Sequence, residues 1–284
     1  MINGLLIVDK AKNMTSRDVV NEVSQIFKTK KIGHTGTLDP LATGILVLTV
    51  GKATKLNEII TATEKEYQVE AILGLKTDTL DVTGKVLKEE NTHFSKAEII
   101  DTLNSFLGSY DQEVPIYSAV KINGKKLYEY ARNNEEVILP KRLVTIQQIH
   151  LDSLNYDNNQ TVIKFTCLVS KGTYIRSLVN DIANKLGTAG TMKNLRRTKQ
   201  GNFVISEAYS LEQIKNNDYQ VISLKDALKD YFIVKVDDKL KFKIMNGQKI
   251  DNIYKQDYVL FVDDDVLALY KSVNNLLKPY KMFI

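Results

Sequence analysis

The 284-residue sequence predicts an α+β fold with a small β domain appended, on three observations. Strand-like and helix-like periodicities are interspersed over the first two hundred residues without a regular βα repeat. Several helical stretches carry N-cap residues and a single apolar stripe. From about residue 232 the chain turns to short strands separated by Gly, Asp and Asn. With 43% hydrophobic and 26% charged residues, it is long enough to bury roughly 75% of its unfolded surface, which sets intrinsic disorder aside.

GLLIVDK is an unbroken apolar run of strand length. Thr15 and Ser16 then offer N-caps, with Asp18 at capping-box distance, to a helix over about 17–28 whose Val19, Val20, Val23, Ile26 and Phe27 form one stripe. GHTGTLDPLATG, with three glycines and a proline, suits neither helix nor sheet and is read as a loop. ILVLTV follows as a buried strand, TKLNEIITA as a short helix, KEYQVEAILG and KVLKEE as strands around the turn TDTLDVTG, and SKAEIIDTLNSFLG as a helix capped by Ser95 and closed by Gly108. SYDQEVPIYSAVKING reads as extended and irregular, and KKLYEYARNN as a short helix. RLVTIQQIHLDSLNY and QTVIKFTCLVS alternate as two strands about an Asp157-Asn158-Asn159 turn, and TYIRSLVNDIANKLG is an amphipathic helix stopped at Gly187. SLEQI and SLKDAL read as helices, then FIVKV, KLKFKI, YVLFV and VLALYK as strands.

Lys and Arg exceed Asp and Glu by 39 − 34 = +5, an excess that permits an anionic partner without requiring one. Only six residues are arginine, and three of those (Arg176, Arg196, Arg197) lie within 22 positions. The lone Cys167 forms no internal disulfide and sits in an alternating strand, consistent with a reducing, cytoplasmic setting. The opening residues carry no cationic leader, and no stretch approaches the ~18 apolar residues of a membrane span. His34, His93 and His150 are far apart, so no metal-ligand spacing is present and no metal is expected.

Four segments could carry chemistry. In GHTGTLDPLATG, Asp39 is either a turn-former accepting backbone hydrogen bonds or a reactive carboxylate beside a closely approached ligand, and His34 is either structural or a contact residue. No lysine follows Gly36 or Gly44 as a phosphate-binding P-loop requires. In KGTYIRSLVN, Tyr174 and Arg176 stand at a helix start, where a cation is disfavoured by the macrodipole, so Arg176 is either exposed or held by a carboxylate. Tyr67 in KEYQVE either packs in the core or stacks on a base. LRRTKQGNF mixes Arg196, Arg197 and Lys199 with Phe203, either a solvated charge run or a nucleic-acid contact.

Taken jointly, GLLIVDK…MTSRDVV, GHTGTLDPLATGILVL, KEYQVEAILGLKTDTLDVTG, YSAVKINGKKLYEYAR and KGTYIRSLVNDIANKLG, followed by LRRTKQGNF, resemble the tRNA pseudouridine synthase B (TruB) family in residues and in order. The resemblance implies the pseudouridine-synthase fold, a central mixed, largely antiparallel sheet flanked by helices. It implies a catalytic domain over 1–231 with a T-arm-gripping insertion at about 109–150, and a small PUA-like RNA-binding domain over 232–284. It further implies isomerisation of uridine 55 in the T-arm loop of tRNA, with Asp39 as the catalytic aspartate, Arg176 as its partner, Tyr67 stacked on the extruded uracil, and Tyr174 and Leu195 lining the pocket. His34 would wedge into the RNA, Lys10 would support the site, and Arg196 and Arg197 would contact RNA. No cofactor, membrane or obligate protein partner is implied, and a monomer is expected. Proline is usual in the family where Ala11 and Ile116 stand here. Two other readings stay open: a non-catalytic RNA-binding protein on the same scaffold, and a guide-RNA-dependent synthase acting on ribosomal RNA.

Overall fold

The computed structural model of the chain describes residues 2–284. In chain order it contains β1 (Gly4–Lys10), α1 (Ser16–Ile26), β2 (Ile32–His34), β3 (Thr43–Val50), α2 (Asn57–Thr61), β4 (Lys65–Leu73), β5 (Leu75–Thr77), β6 (Val86–Glu89), α3 (Lys96–Asn104), β7 (Gly108–Glu113), β8 (Lys121–Ile122), β9 (Lys125–Lys126) and α4 (Leu127–Arg132). There follow β10 (Lys141–Asp157), β11 (Gln160–Val169), α5 (Ile175–Lys185), β12 (Gly190–Gln200), β13 (Phe203–Val204), α6 (Leu211–Lys215), α7 (Leu224–Ala227), β14 (Phe232–Lys235), α8 (Asp238–Met245), β15 (Ile250–Asp251), β16 (Tyr258–Val262), β17 (Val266–Val273) and β18 (Leu276–Met282).

Nine strands build the main sheet, in the order β1-β3-β12-β4-β11-β10-β7, with β2 on β3 and β13 on β12. Every pairing is antiparallel except β3 with β12, so the sheet is mixed and largely antiparallel. The unbroken apolar run of β1 is explained by burial on both faces: Leu5 and Ile7 enter one core, Leu6 and Val8 another. Helix α1 lays Val19, Val20 and Val23 on the second of these, and the Thr15–Asp18 capping box closes its N-terminus. Helices α3 and α5 cover the centre of the sheet, where Ile99, Leu103, Leu178, Val179 and Ile182 meet Val69, Ala71, Ile163 and Phe165. Strands β10 and β11 pair from Asp157–Gln160 onward through the two positive-φ residues Asn158 and Asn159, the turn geometry that right-twisted strands prefer.

A C-terminal five-stranded sheet, in the order β14-β16-β17-β18-β15, packs against the main sheet: Leu260, Val262, Leu269 and Phe283 share a core with Leu5, Ile7, Ile45 and Val47.

Four local expectations are corrected. KLKFKI lies in helix α8, because Asp237 caps it and Leu240 and Ile244 fall one turn apart on the inward face, leaving Phe242 66% exposed. The helix after Ser95 ends at Asn104, and Gly108 opens β7. Residues 190–200, read only as a basic-aromatic run from 195, form the central strand β12. Residues 109–113 and 141–150, assigned to the insertion, belong to the edge strand β7 and to its neighbour β10 in the main sheet, so only about 114–140 departs from it.

Candidate active site

The loop between β2 and β3 carries Asp39, and four side chains hold its shape. Ser16, at the start of α1, accepts from the Leu38 N–H at 2.9 Å. Lys10 Nζ donates to the carbonyls of Ala11, Met14 and Pro40 at 2.9, 2.7 and 3.4 Å. From β12, Arg197 donates to the carbonyls of Ile45 (2.7 Å) and Gly36 (3.2 Å), while Gln200 donates to the Thr35 carbonyl at 2.8 Å. Gly44 is required where β3 meets β12, because its φ is +99° and any Cβ would collide with the Arg197 backbone. Few of these bonds link elements adjacent in sequence. A glycine-rich loop is therefore fixed by tertiary contacts.

Arg176, in the first turn of α5, reaches this loop. Its Nε donates to Asp39 Oδ2 at 2.9 Å and its Nη2 to Oδ1 at 3.3 Å. The other donors meet the carbonyls of Thr79 and Tyr117, both at 3.0 Å. The arginine side chain is 6% exposed and that of Asp39 35%, so a buried planar fork presents a carboxylate that one side of the solvent can still reach. This also resolves the unfavourable helix position: the Arg176 charge is offset by Asp39, not by the macrodipole.

Asp39 and Arg176 line a cavity of about 350 Å3 together with Tyr67, Tyr174 and Leu195, so five of the expected residues converge on one hollow. Tyr67 is 7% exposed on β4, opposite Cys167 and Arg197, and serves both core and cavity. Tyr174 is the N-cap of α5 with no side-chain cap bond; its N–H instead donates to Gln112 Oε1 at 2.7 Å. Gln112, 1% exposed, passes its Nε2 to the Tyr110 hydroxyl (2.7 Å), which donates to Asp181 Oδ2 at 3.1 Å. Burial pushes the Asp181 carboxyl up to about 6, and the Tyr110 hydroxyl is pushed up by burial and by Asp181. The insertion closes the cavity with Tyr117, Ser118, Ala119 and Tyr128.

The remaining expected residues lie outside this hollow. Lys10 is fully buried beneath the loop, where its donors are spent on backbone carbonyls and none faces RNA; burial pushes its amine down to about 8, with Asp39 acting in the opposite direction. Arg197 is 1% exposed, and its carbonyl partners turn it inward, so it too braces the loop and does not present itself to RNA. Arg196, on the opposite face of β12, remains half-exposed and paired with Asp9 at 2.7 Å. His34 ends β2, half-buried, and its imidazole is pushed down by burial and by the Arg17 and Arg197 charges. Lys65, buried at the start of β4, is pushed down to about 8 by burial and by Arg197 and Lys171. Besides Arg176, whose charge Asp39 offsets, the buried cations Lys10, Lys65 and Arg197 lie beside the Asp39 loop, a local surplus that favours an anion at its mouth.

Gln112, Ser118 and Tyr128 were not singled out in the sequence. Gln112 and Ser118 lie in the stretch read as extended and irregular and Tyr128 in the short helix that follows, and nothing in their local pattern set them apart from their neighbours.

With this geometry in view, residues 24–175 match the TruB family pseudouridylate synthase N-terminal domain, and residues 176–237 match the tRNA pseudouridylate synthase B C-terminal domain. The tRNA pseudouridine synthase B of Staphylococcus aureus strain MSSA476 is 42% identical over 305 residues, covering 100% of both chains, and that of strain JH9 is 41% identical with the same coverage. Among solved structures, a chain of an H/ACA RNP bound to a substrate RNA containing 2′-deoxyuridine superposes with a TM-score of 0.72 at 21% identity, covering 99% of this chain and 85% of that one. A chain of an archaeal box H/ACA sRNP complex gives 0.71 at 20% identity, covering 99% and 86%. At these identities the structural likeness speaks to the fold alone.

Proposed function

Because the chain belongs to the TruB family of pseudouridylate synthases, we propose that it isomerises uridine to pseudouridine in tRNA, at position 55 of the T-arm loop. The observation that carries this reading is the bidentate Asp39–Arg176 pair at the mouth of a nucleotide-sized cavity bounded by Tyr67, Tyr174 and Leu195. In the reaction the N1–C1′ bond breaks, the uracil turns, C5 bonds to C1′, the C5 proton is lost and N1 gains one. Nothing is oxidised or reduced overall.

The glycosidic bond is shielded in a stacked nucleotide, so the base must first leave the stack. The Tyr67 ring offers the extruded uracil a face, and Leu195 offers an apolar wall. Asp39 then acts on the ribose, either at C1′ as a nucleophile or on the 2′ proton as a base, and both routes need its carboxylate held still. The guanidinium supplies that orientation. His34, at the end of β2 where the Asp39 loop begins, is the candidate wedge for the vacated stack, and Arg196 a candidate phosphate contact. The site residues, the division at about residue 232, and action on tRNA without a protein partner all belong to this proposal.

Incubating the pure protein with a T-arm transcript tritiated at uracil C5 tests it: tritium release at one uridine is expected. Binding without release would favour a non-catalytic RNA-binding protein, and release only with added guide RNA and partner proteins would favour the guide-dependent reading. The full-length relative at 42% identity is named for tRNA, which favours a tRNA substrate over ribosomal RNA.

A further inference from the structure

Among the described residues, three buried side-chain polar atoms lack a hydrogen-bond partner: His34 Nδ1, Ser118 Oγ and Gln200 Oε1. Only Ser118 lines the cavity that holds Asp39. Buried hydroxyls are nearly always paired, and an exception in a residue that lines a cleft points to a ligand. Comparable hydroxyls nearby have partners: Ser16 Oγ donates to the Leu38 carbonyl at 3.3 Å and Ser177 Oγ to the Glu113 carbonyl at 2.8 Å.

The backbone of Ser118 is fully engaged. Its N–H donates to the Ile116 carbonyl at 2.9 Å and its carbonyl accepts from Tyr128 N–H at 3.2 Å. Its predecessor is gripped as well: the Tyr117 carbonyl accepts from Arg176 Nη2, the same nitrogen that holds Asp39 Oδ1. The residue is 7% exposed, so its hydroxyl is held in place with donor and acceptor capacity unspent. One guanidinium therefore ties Ser118 to the carboxylate side of the cavity, while Tyr67 and Leu195 enter from β4 and β12 of the main sheet.

Resting on the reading of Asp39 as the group that acts on the ribose, we infer that the Ser118 hydroxyl hydrogen-bonds the 2′-hydroxyl of the extruded nucleotide. C1′ must face Asp39, and the polar group one bond further along the sugar is the 2′-hydroxyl, which falls toward the wall that Asp39, Arg176 and Ser118 share. The 2′-hydroxyl is also the group that distinguishes RNA from DNA. Ser118 is thus a specificity-determining residue that restricts the pocket to ribonucleotides, and it couples the insertion to the chemistry.

The test compares wild type with Ser118→Ala in two measurements. In tritium release from C5-labelled T-arm RNA, the variant should lose about tenfold in kcat/KM, the effect of one neutral hydrogen bond, with an unchanged unfolding midpoint. In binding, stem-loops carry at the target position either an abasic ribose or the same sugar without its 2′-hydroxyl. The alanine variant should weaken binding about fivefold to tenfold for the first and less than twofold for the second. Equal effects on the two RNAs, or wild-type kcat/KM in the variant, would overturn the inference. Failure of wild type to release tritium would instead sink the proposed function, so the two failures are distinguishable.

Discussion

Replacing Arg176 with lysine separates the role of charge from that of shape. The guanidinium spends Nε, Nη1 and Nη2 on four bonds, two to Asp39 and one each to the Thr79 and Tyr117 carbonyls. A single ammonium on a differently shaped stem keeps the positive charge but cannot span partners arrayed around a plane. At least one partly buried carbonyl then loses its donor, which costs about 1–3 kcal/mol. Asp39, one-third exposed, recovers water, so losing one of its two contacts adds only about 0.5–1 kcal/mol. The expected destabilisation of Arg176→Lys is therefore about 1.5–4 kcal/mol, measured by urea unfolding. The carboxylate would also lose its fixed orientation, and a displacement of about 1 Å lowers rates on the order of a hundredfold. Tritium release in single turnover checks the second figure. A variant within 0.5 kcal/mol of wild type and with an undiminished rate would refute the view that the planar fork organises the site.

Asp39→Asn is expected to abolish turnover while leaving affinity for the T-arm within about tenfold, because affinity comes mainly from backbone and shape contacts; a larger loss in filter binding would contradict that division. Gln112→Leu strands the Tyr174 N–H and removes the bond from Gln112 Nε2 to the Tyr110 hydroxyl, so a loss of about 2–4 kcal/mol in unfolding free energy and a slowed turnover are expected. Asp181→Asn carries a pH signature. Its carboxyl rises from 3.8 unfolded to about 6 folded, so the native state binds the extra proton between these values and wild type loses stability as pH rises through that window. Since the group is only partly buried, the expected gain of the asparagine variant over wild type is about 1–2 kcal/mol at pH 7.5, vanishing near pH 4. A difference independent of pH would show that Asp181 is not strained by its surroundings.

Local chemistry made much of the fold legible. The capping boxes at Thr15–Asp18 and Ser95–Glu98, the Asn158-Asn159 turn and the apolar run of β1 each announce themselves within a few residues, because caps, turns and strand burial depend on near neighbours. Strand β12 was not legible. Its register shifts at Met192/Asn194 and Arg197/Lys199 break the two-residue alternation, and as a central strand it places polar side chains on inner surfaces where they find partners. The alternation of KLKFKI misled for the opposite reason. Six residues match either period, and the Asp237 cap was the signal that distinguishes them.

The residue types at the candidate site, and the family to which they belong, could be read from the chain alone, because motif order and spacing survive in one dimension. What required the folded molecule was which groups meet. Asp39 and Arg176 are 137 positions apart, and adjacent Arg196 and Arg197 have opposite fates, one half-exposed against Asp9 and the other sealed beneath the loop. Pairing of this kind is decided by desolvation and by where strands cross, and both are properties of the packed chain, not of its local sequence.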